Sequence, residues 1–193
     1  MKQILGFAAA GILAAGMALA DGHMVWRSVD AQSSVAFGSV KGNETGEVHH
    51  FSGVSGSVSE AGDVSIMIDL TSVETNIDIR NERMAEHVFK GATTAELMGT
   101  VDMGAVSALA VGETMLTGFE GSLSLMGMQA DVEAEMLVVR LAEDRVLVTT
   151  ADFIMLSTAD LGLDGGIDTL KDLAGLSGIT RVTPVAVRMV FEH

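Results

Sequence analysis

The sequence predicts an all-β fold, an antiparallel sandwich or barrel with a short helix. Three observations lead there. Apolar and polar residues alternate with period two in stretch after stretch, which is the mark of strands with one buried face. The stretches recur about every ten residues, the spacing of a sandwich or barrel. The breaks between them are filled by glycine and acidic residues, as turns require.

The strands can be read in order. Val35 and Phe37 alternate with serine and alanine. Val64, Ile66, Ile68 and Leu70 oppose Ser65, Met67 and Asp69. Met115, Phe119, Leu123 and Leu125 share one parity, and Thr114, Glu120, Ser122 and Ser124 the other. Val132, Ala134, Met136 and Val138 face away from Asp131, Glu133 and Glu135. Val146 and Val148 precede Phe153. Val185, Val187, Met189 and Phe191 close the chain. Turns are expected at Ala61–Asp63, Ala110–Glu113, Gly127 and Glu143–Asp144. Pro184, the single proline, sits near the start of the last strand, where a missing N–H is tolerated. Two stretches break the alternation. Asn81 to Phe89 reads as a short helix with Asn81 as its cap and Met84 and Val88 on its apolar stripe. The Gly-, Leu- and Asp-rich segment 157–178 is irregular, with Asp168 to Leu173 a second short helix or a lid.

The N-terminus has a different character. Lys2 is followed by an uncharged run from Ile4 to Ala20 that ends in the small-x-small sequence Ala18-Leu19-Ala20. This is the pattern of a cleaved signal peptide over residues 1–20, and it is short for a membrane span. Residues 21–193 then form one domain, large enough to fold without a staple. The expectation is an exported, periplasmic protein with no stable membrane insertion. The chain has no cysteine, so disulfides and thiolate chemistry are excluded.

The net charge of −15 excludes a nucleic-acid partner, because such a field repels phosphate backbones and no basic cluster interrupts it. Catalytic motifs are missing as well. His49 and His50 are adjacent, and neighbours on a strand point to opposite faces, so they do not share a metal. No HExxH pair and no Gly-x-Ser-x-Gly elbow occurs. No catalytic residue, no metal and no cofactor is expected, and the protein is read as a non-enzyme. The inward wall is rich in Val, Leu, Ile, Phe and Met. Methionine adapts its shape, so the wall suits either a filled core or a cavity for a flexible chain, and composition alone does not choose.

The order of motifs resembles the YceI-like family. The similar parts are Trp26-Arg27-Ser28-Val29-Asp30 with Ser33 to Phe37, then Glu47-Val48-His49-His50-Phe51-Ser52-Gly53, then Leu70-Thr71-Ser72-Val73-Glu74-Thr75 running into Arg80 and Arg83, and finally Leu116 to Gly127. The turn at Met126-Gly127-Met128 and the long segment 157–178 depart from the family pattern. The resemblance implies an eight-stranded, up-and-down, lipocalin-like antiparallel barrel. It implies that the interior is a cavity for a long amphiphilic lipid of polyisoprenoid, quinone or fatty-acyl type, and that the protein forms a homodimer. Phe37, Phe51, Met115, Phe119, Leu123, Met136 and Phe153 are then the candidate wall, with Arg80 and His50 as polar contacts to a head group. Trp26 is expected to plug one barrel end. The alternative is a partner-binding module of a periplasmic stress or electron-transfer system.

Overall fold

The computed structural model describes residues 25–193. The expected signal peptide lies outside the described residues. Twelve strands run through the described residues: β1 Trp26–Ser28, β2 Ser34–Lys41, β3 Thr45–Phe51, β4 Val54–Val58, β5 Asp63–Asp69, β6 Val73–Glu74, β7 Thr94–Thr100, β8 Thr114–Leu125, β9 Met128–Ala142, β10 Arg145–Thr150, β11 Ile154–Ser157 and β12 Val182–Glu192. Helices are few and short: α1 Asp78–Arg83, α2 Met103–Ala108 and α3 Asp164–Leu173.

These strands make eight staves, because four staves are each two strands joined at a break. β1 and β2 lie end to end along β12, β3 and β4 along that pair, and β5 and β6 along β3 and β4. β10 and β11 together line the other side of β12. β7, β8 and β9 complete the circuit from β5 to β10. Every pairing is antiparallel between chain neighbours except the last, where β12 meets β1 and β2. The fold is a closed, up-and-down, eight-stave barrel, as the sequence led us to expect.

Local chemistry explains the path. The β8–β9 hairpin pairs residues from Thr114↔Val139 to Leu125↔Met128. Its two-residue turn, Met126-Gly127, has positive φ at both positions (50° and 80°), the geometry that matches strand twist in a tight hairpin. Gly99 and Gly121 are cross-strand partners. A Cβ on either would stand about 2.5 Å from the Phe119 ring, so the two glycines make the flat bed on which that ring lies.

The helices differ from the sequence expectation in three places. The first helix starts at Asp78, not Asn81, and runs on as a π turn over Met84–Val88. Asn81 is no cap: its Oδ1 accepts from the Thr75 N–H at 2.9 Å and the Thr75 hydroxyl at 2.6 Å. It thereby satisfies a threonine only 1 % exposed. Helix α2 was not anticipated. Asp102 caps it, accepting from the Gly104 and Ala105 amides, and Asp before a small-residue run was the available signal. α3 begins four residues before the expected Asp168 and packs on the π turn. A Cβ at Gly166 would meet the His87 carbonyl at 2.5 Å.

A candidate ligand chamber in the barrel

Alternation turns one residue in two inward, and the inward set encloses two adjoining apolar spaces. The first, about 100 Å³, lies toward α2 and is walled by Trp26, Val101, Met103, Phe119, Met136 and Met189 among others. The second, about 190 Å³, lies under α3 and the π turn, against Phe37, Phe51, Phe89, Leu123, Leu161 and Ile167. Ile66, Leu97, Ile154 and Val187 border both and form a waist between them. Packed protein interiors hold few voids larger than a water molecule, and an apolar cavity of about 150 Å³ is enough to take benzene. The larger chamber alone exceeds that, so this interior is not a filled core.

Five of the seven residues read as wall face these spaces. Phe37, Phe51 and Leu123 line the larger chamber, and Phe119 and Met136 the smaller. Phe37 stacks on Phe51 with ring centres 5.2 Å apart, and Phe51 meets Phe89 at 6.0 Å. Trp26 stands at the α2 end, with Arg140 over its ring at 5.2 Å and His193 edge-on at 4.1 Å. Met115 is half-buried against the core but is not among the residues lining either chamber.

Three expectations are corrected. Phe153 is 69 % exposed. Inward positions here are even-numbered, as Val146, Val148 and Ile154 show, so Phe153 has the outward parity. His50 also faces out, because it pairs with the outward Ala36, whereas His49 pairs with Phe37. His49 is the inward histidine, 4 % exposed. Arg80 is no free fork for an anionic head. Its Nη1 lies 2.7 Å from Glu47 Oε2, and its Nη2 donates to the Thr75 carbonyl.

These side chains form one polar cluster beside the larger chamber. Lys41 Nζ reaches Glu47 Oε1 at 2.8 Å, so one carboxylate sits between two cations. His49 Nε2 is hydrogen-bonded to the Ser39 hydroxyl at 3.0 Å, its ring rests on Phe37 with centres 5.1 Å apart, and Ser39 itself lines the chamber. Burial pushes the His49 pKa down, the Arg80 charge pushes the same way, and the ring is neutral at pH 7. Burial raises the Glu47 pKa, but hydrogen bonds from Lys41 and Arg80 outweigh it and hold the carboxyl below its ordinary value. Two buried nitrogens of the cluster, His49 Nδ1 and Arg80 Nε, have no protein partner. Among the described residues no group of three His, Asp or Glu side chains is placed to hold a metal.

A second surface lies outside the barrel. The register aligns Met155, Pro184, Gly38 and Val48 in one outward row, with Phe153, Ala186 and Ala36 in the next and Val182 and Val40 in the row beyond. Met155, Val48 and Val182 are 60, 63 and 49 % exposed. The Ala36 row continues through His50 to Glu74, so the apolar side chains lie at the β11, β12 and β2 end of these rows.

Comparison with known proteins agrees with this geometry. The model of the YceI-like domain matches residues 26–180. The chain belongs to the YceI-like family. Its structure is similar to a polyisoprenoid-binding domain from Saccharophagus degradans implicated in plant cell wall breakdown, with a TM-score of 0.83 and 36 % identity over 86 % of this chain and 97 % of that one. BcnA of Burkholderia cenocepacia shares the YceI-like fold at a TM-score of 0.62, with 14 % identity over 82 % of this chain and 95 % of BcnA. Among curated protein sequences none matches the chain. The YceI-like match runs from β1 through α3 and stops just before β12, the closing stave.

Proposed function

We propose that this YceI-like protein binds a long-chain amphiphilic lipid inside its barrel and carries or sequesters it in the periplasm, with no catalytic step. The tail is of polyisoprenoid, quinone or fatty-acyl type. The observation that carries the reading is the pair of adjoining apolar chambers inside a closed barrel. The similarity to a polyisoprenoid-binding domain supports it. Each methylene taken from water contributes about 0.8 kcal/mol, so a tail running through both chambers supplies the affinity without polar contacts. Methionine on the walls, at Met84, Met103, Met136 and Met189, lets the lumen adjust to a flexible chain. The leader-like N-terminus supports export, and the homodimer implied by the family resemblance belongs to the same reading.

The test is native mass spectrometry of protein purified from the periplasm of its own host, followed by organic extraction. A bound isoprenoid, quinone or fatty-acyl species is the expected result. A clean apo mass that stays clean after exposure to such lipids would overturn the reading. It would leave the partner-binding alternative, which the exposed apolar side chains of Met155 and Val48 favour.

A further inference from the structure

The lumen has a definite length and one fixed end. Along β12 the inward residues run Thr183, Val185, Val187, Met189 and Phe191. The first two line the larger chamber, the last two the smaller, and Val187 borders both. From Thr183 to Phe191 the strand advances about 27 Å at ~3.4 Å per residue, or about 20 Å along the axis of a barrel whose strands tilt by about 40°. Beyond Phe191 stands Trp26. The register sets Ser28 opposite Phe191 and Arg27 opposite Glu192, which places Trp26 one step further out. Its ring is buried, as are its strand partner Val58 and Val106 of α2. Arg140, 5.2 Å over the ring, and His193, edge-on at 4.1 Å, touch the tryptophan but line neither chamber. The apolar space therefore ends at Trp26. Polar lining gathers at the opposite end. Among the described residues Thr117 supplies the single hydroxyl of the smaller chamber, whereas Ser39, Thr158, Thr180 and Thr183 line the larger.

We propose that Trp26 is the stop that sets the tail length this protein accepts, at about four isoprene units. This rests on the carrier reading above. An extended polypeptide advances ~3.5 Å over three backbone bonds, so a hydrocarbon chain needs about seventeen bonds to cross 20 Å, which is about four units of four bonds each. The tail end lies against the Trp26 ring, because a polar head in the smaller chamber would find almost nothing to bond. The head stays at the hydroxyl-bearing end near Thr183. A shorter tail leaves the smaller chamber empty and forfeits the burial it offers. A longer one draws units out of the membrane that the lumen does not cover. The stop does not yield easily, since turning the ring aside breaks its contact with the Arg140 cation.

A length series tests this. The mature protein is mixed with phosphatidylcholine vesicles that hold equimolar prenyl alcohols of two to six isoprene units, and the loaded species are counted by native mass spectrometry. Loading is expected to peak at four units and to fall about tenfold by six. Trp26→Leu keeps an apolar residue but removes the ring, and is expected to move the peak up by one unit. Val187→Phe narrows the waist and is expected to move it down to two. Trp26 is the only tryptophan of the chain, so the unsubstituted protein supplies a further readout. A four-unit alcohol brominated on its last unit is expected to quench most of the tryptophan emission. A profile without a peak, a peak that Trp26→Leu and Val187→Phe leave in place, or full emission with the brominated alcohol loaded overturns the stop and leaves the carrier reading standing. Loading of no alcohol at any length overturns both.

Discussion

Gly166 of α3 lies against the backbone of Val88, so close that a Cβ on the glycine would stand 2.6 Å from the Val88 Cα. Helix and π turn together roof the larger chamber, through Ile167 on one side and Met84 and Val88 on the other. The roof closes only because this position carries no side chain.

Gly166→Val therefore forces α3 away from the π turn. Overpacking of this kind costs about 1–3 kcal/mol, read as a lower denaturation midpoint. Exchange of bound lipid should also become faster than in the wild type. A variant that loses stability but keeps the wild-type exchange rate would mean that the roof is not the route of entry.

Phe119 and Met136 test the smaller chamber. Phe119→Asp places a charge on the Gly99–Gly121 bed, where no partner awaits it, and should abolish lipid uptake at a cost of about 3 kcal/mol or more. Met136→Leu conserves volume and should cost less than about 1.5 kcal/mol with uptake retained. Calorimetry and extraction of the purified variants give both quantities.

Acid should weaken the fold through the polar cluster in two stages. The folded pKa of His49 lies below its ordinary 6.5, so the unfolded chain takes the proton first. Stability therefore falls as pH drops below about 6.5, until the folded pKa is reached. The folded pKa of Glu47 lies below its ordinary 4.5. Its contribution is complete above that value and is lost as pH falls through the folded pKa. Melting temperatures from pH 7 to 3 should thus decline in both windows, and His49→Phe should flatten the upper one alone.

Asn81 supports the buried Thr75 with two hydrogen bonds. Asn81→Leu leaves the Thr75 N–H without its side-chain acceptor and should cost about 1–3 kcal/mol. Phe153→Ser, at a position 69 % exposed, should stay within about 0.5 kcal/mol of wild type with lipid uptake unchanged. The contrast between the two, read from chemical denaturation, separates a polar residue that holds the fold from an aromatic one that does not.

The barrel was legible because strands of this kind write their burial into every second residue. Val64, Ile66 and Ile68 face in, and Met67 between them is 51 % exposed. The turn chemistry at Gly62, Gly112 and Gly127 was equally plain, each glycine taking positive φ. The site was harder to read where the parity had to be set by a neighbour. His49 and His50 are indistinguishable until β2 fixes the register, and Phe153 reads as a wall residue by its side chain alone, whereas the even parity that runs from Val148 to Ile154 turns it outward. Arg80 shows a further limit. Its distance from Glu47 in sequence is 33 residues, and no local pattern announces that the guanidinium is already engaged.

The closure between β12 and the first two strands has a consequence for the order of folding. All other pairings join neighbours along the chain and form early, whereas the contact of Ser33 with Val190 spans 157 residues. Bringing such distant ends together costs about 4 kcal/mol in chain entropy, and the contact is slow to form. Until β12 pairs, the sheet is open, with β2 and β10 as its edges. Neither chamber is enclosed before residues 182–192 are in place. A chain cut short before them would expose two unpaired edges to its own copies, and aggregation rather than an empty carrier is the expected fate.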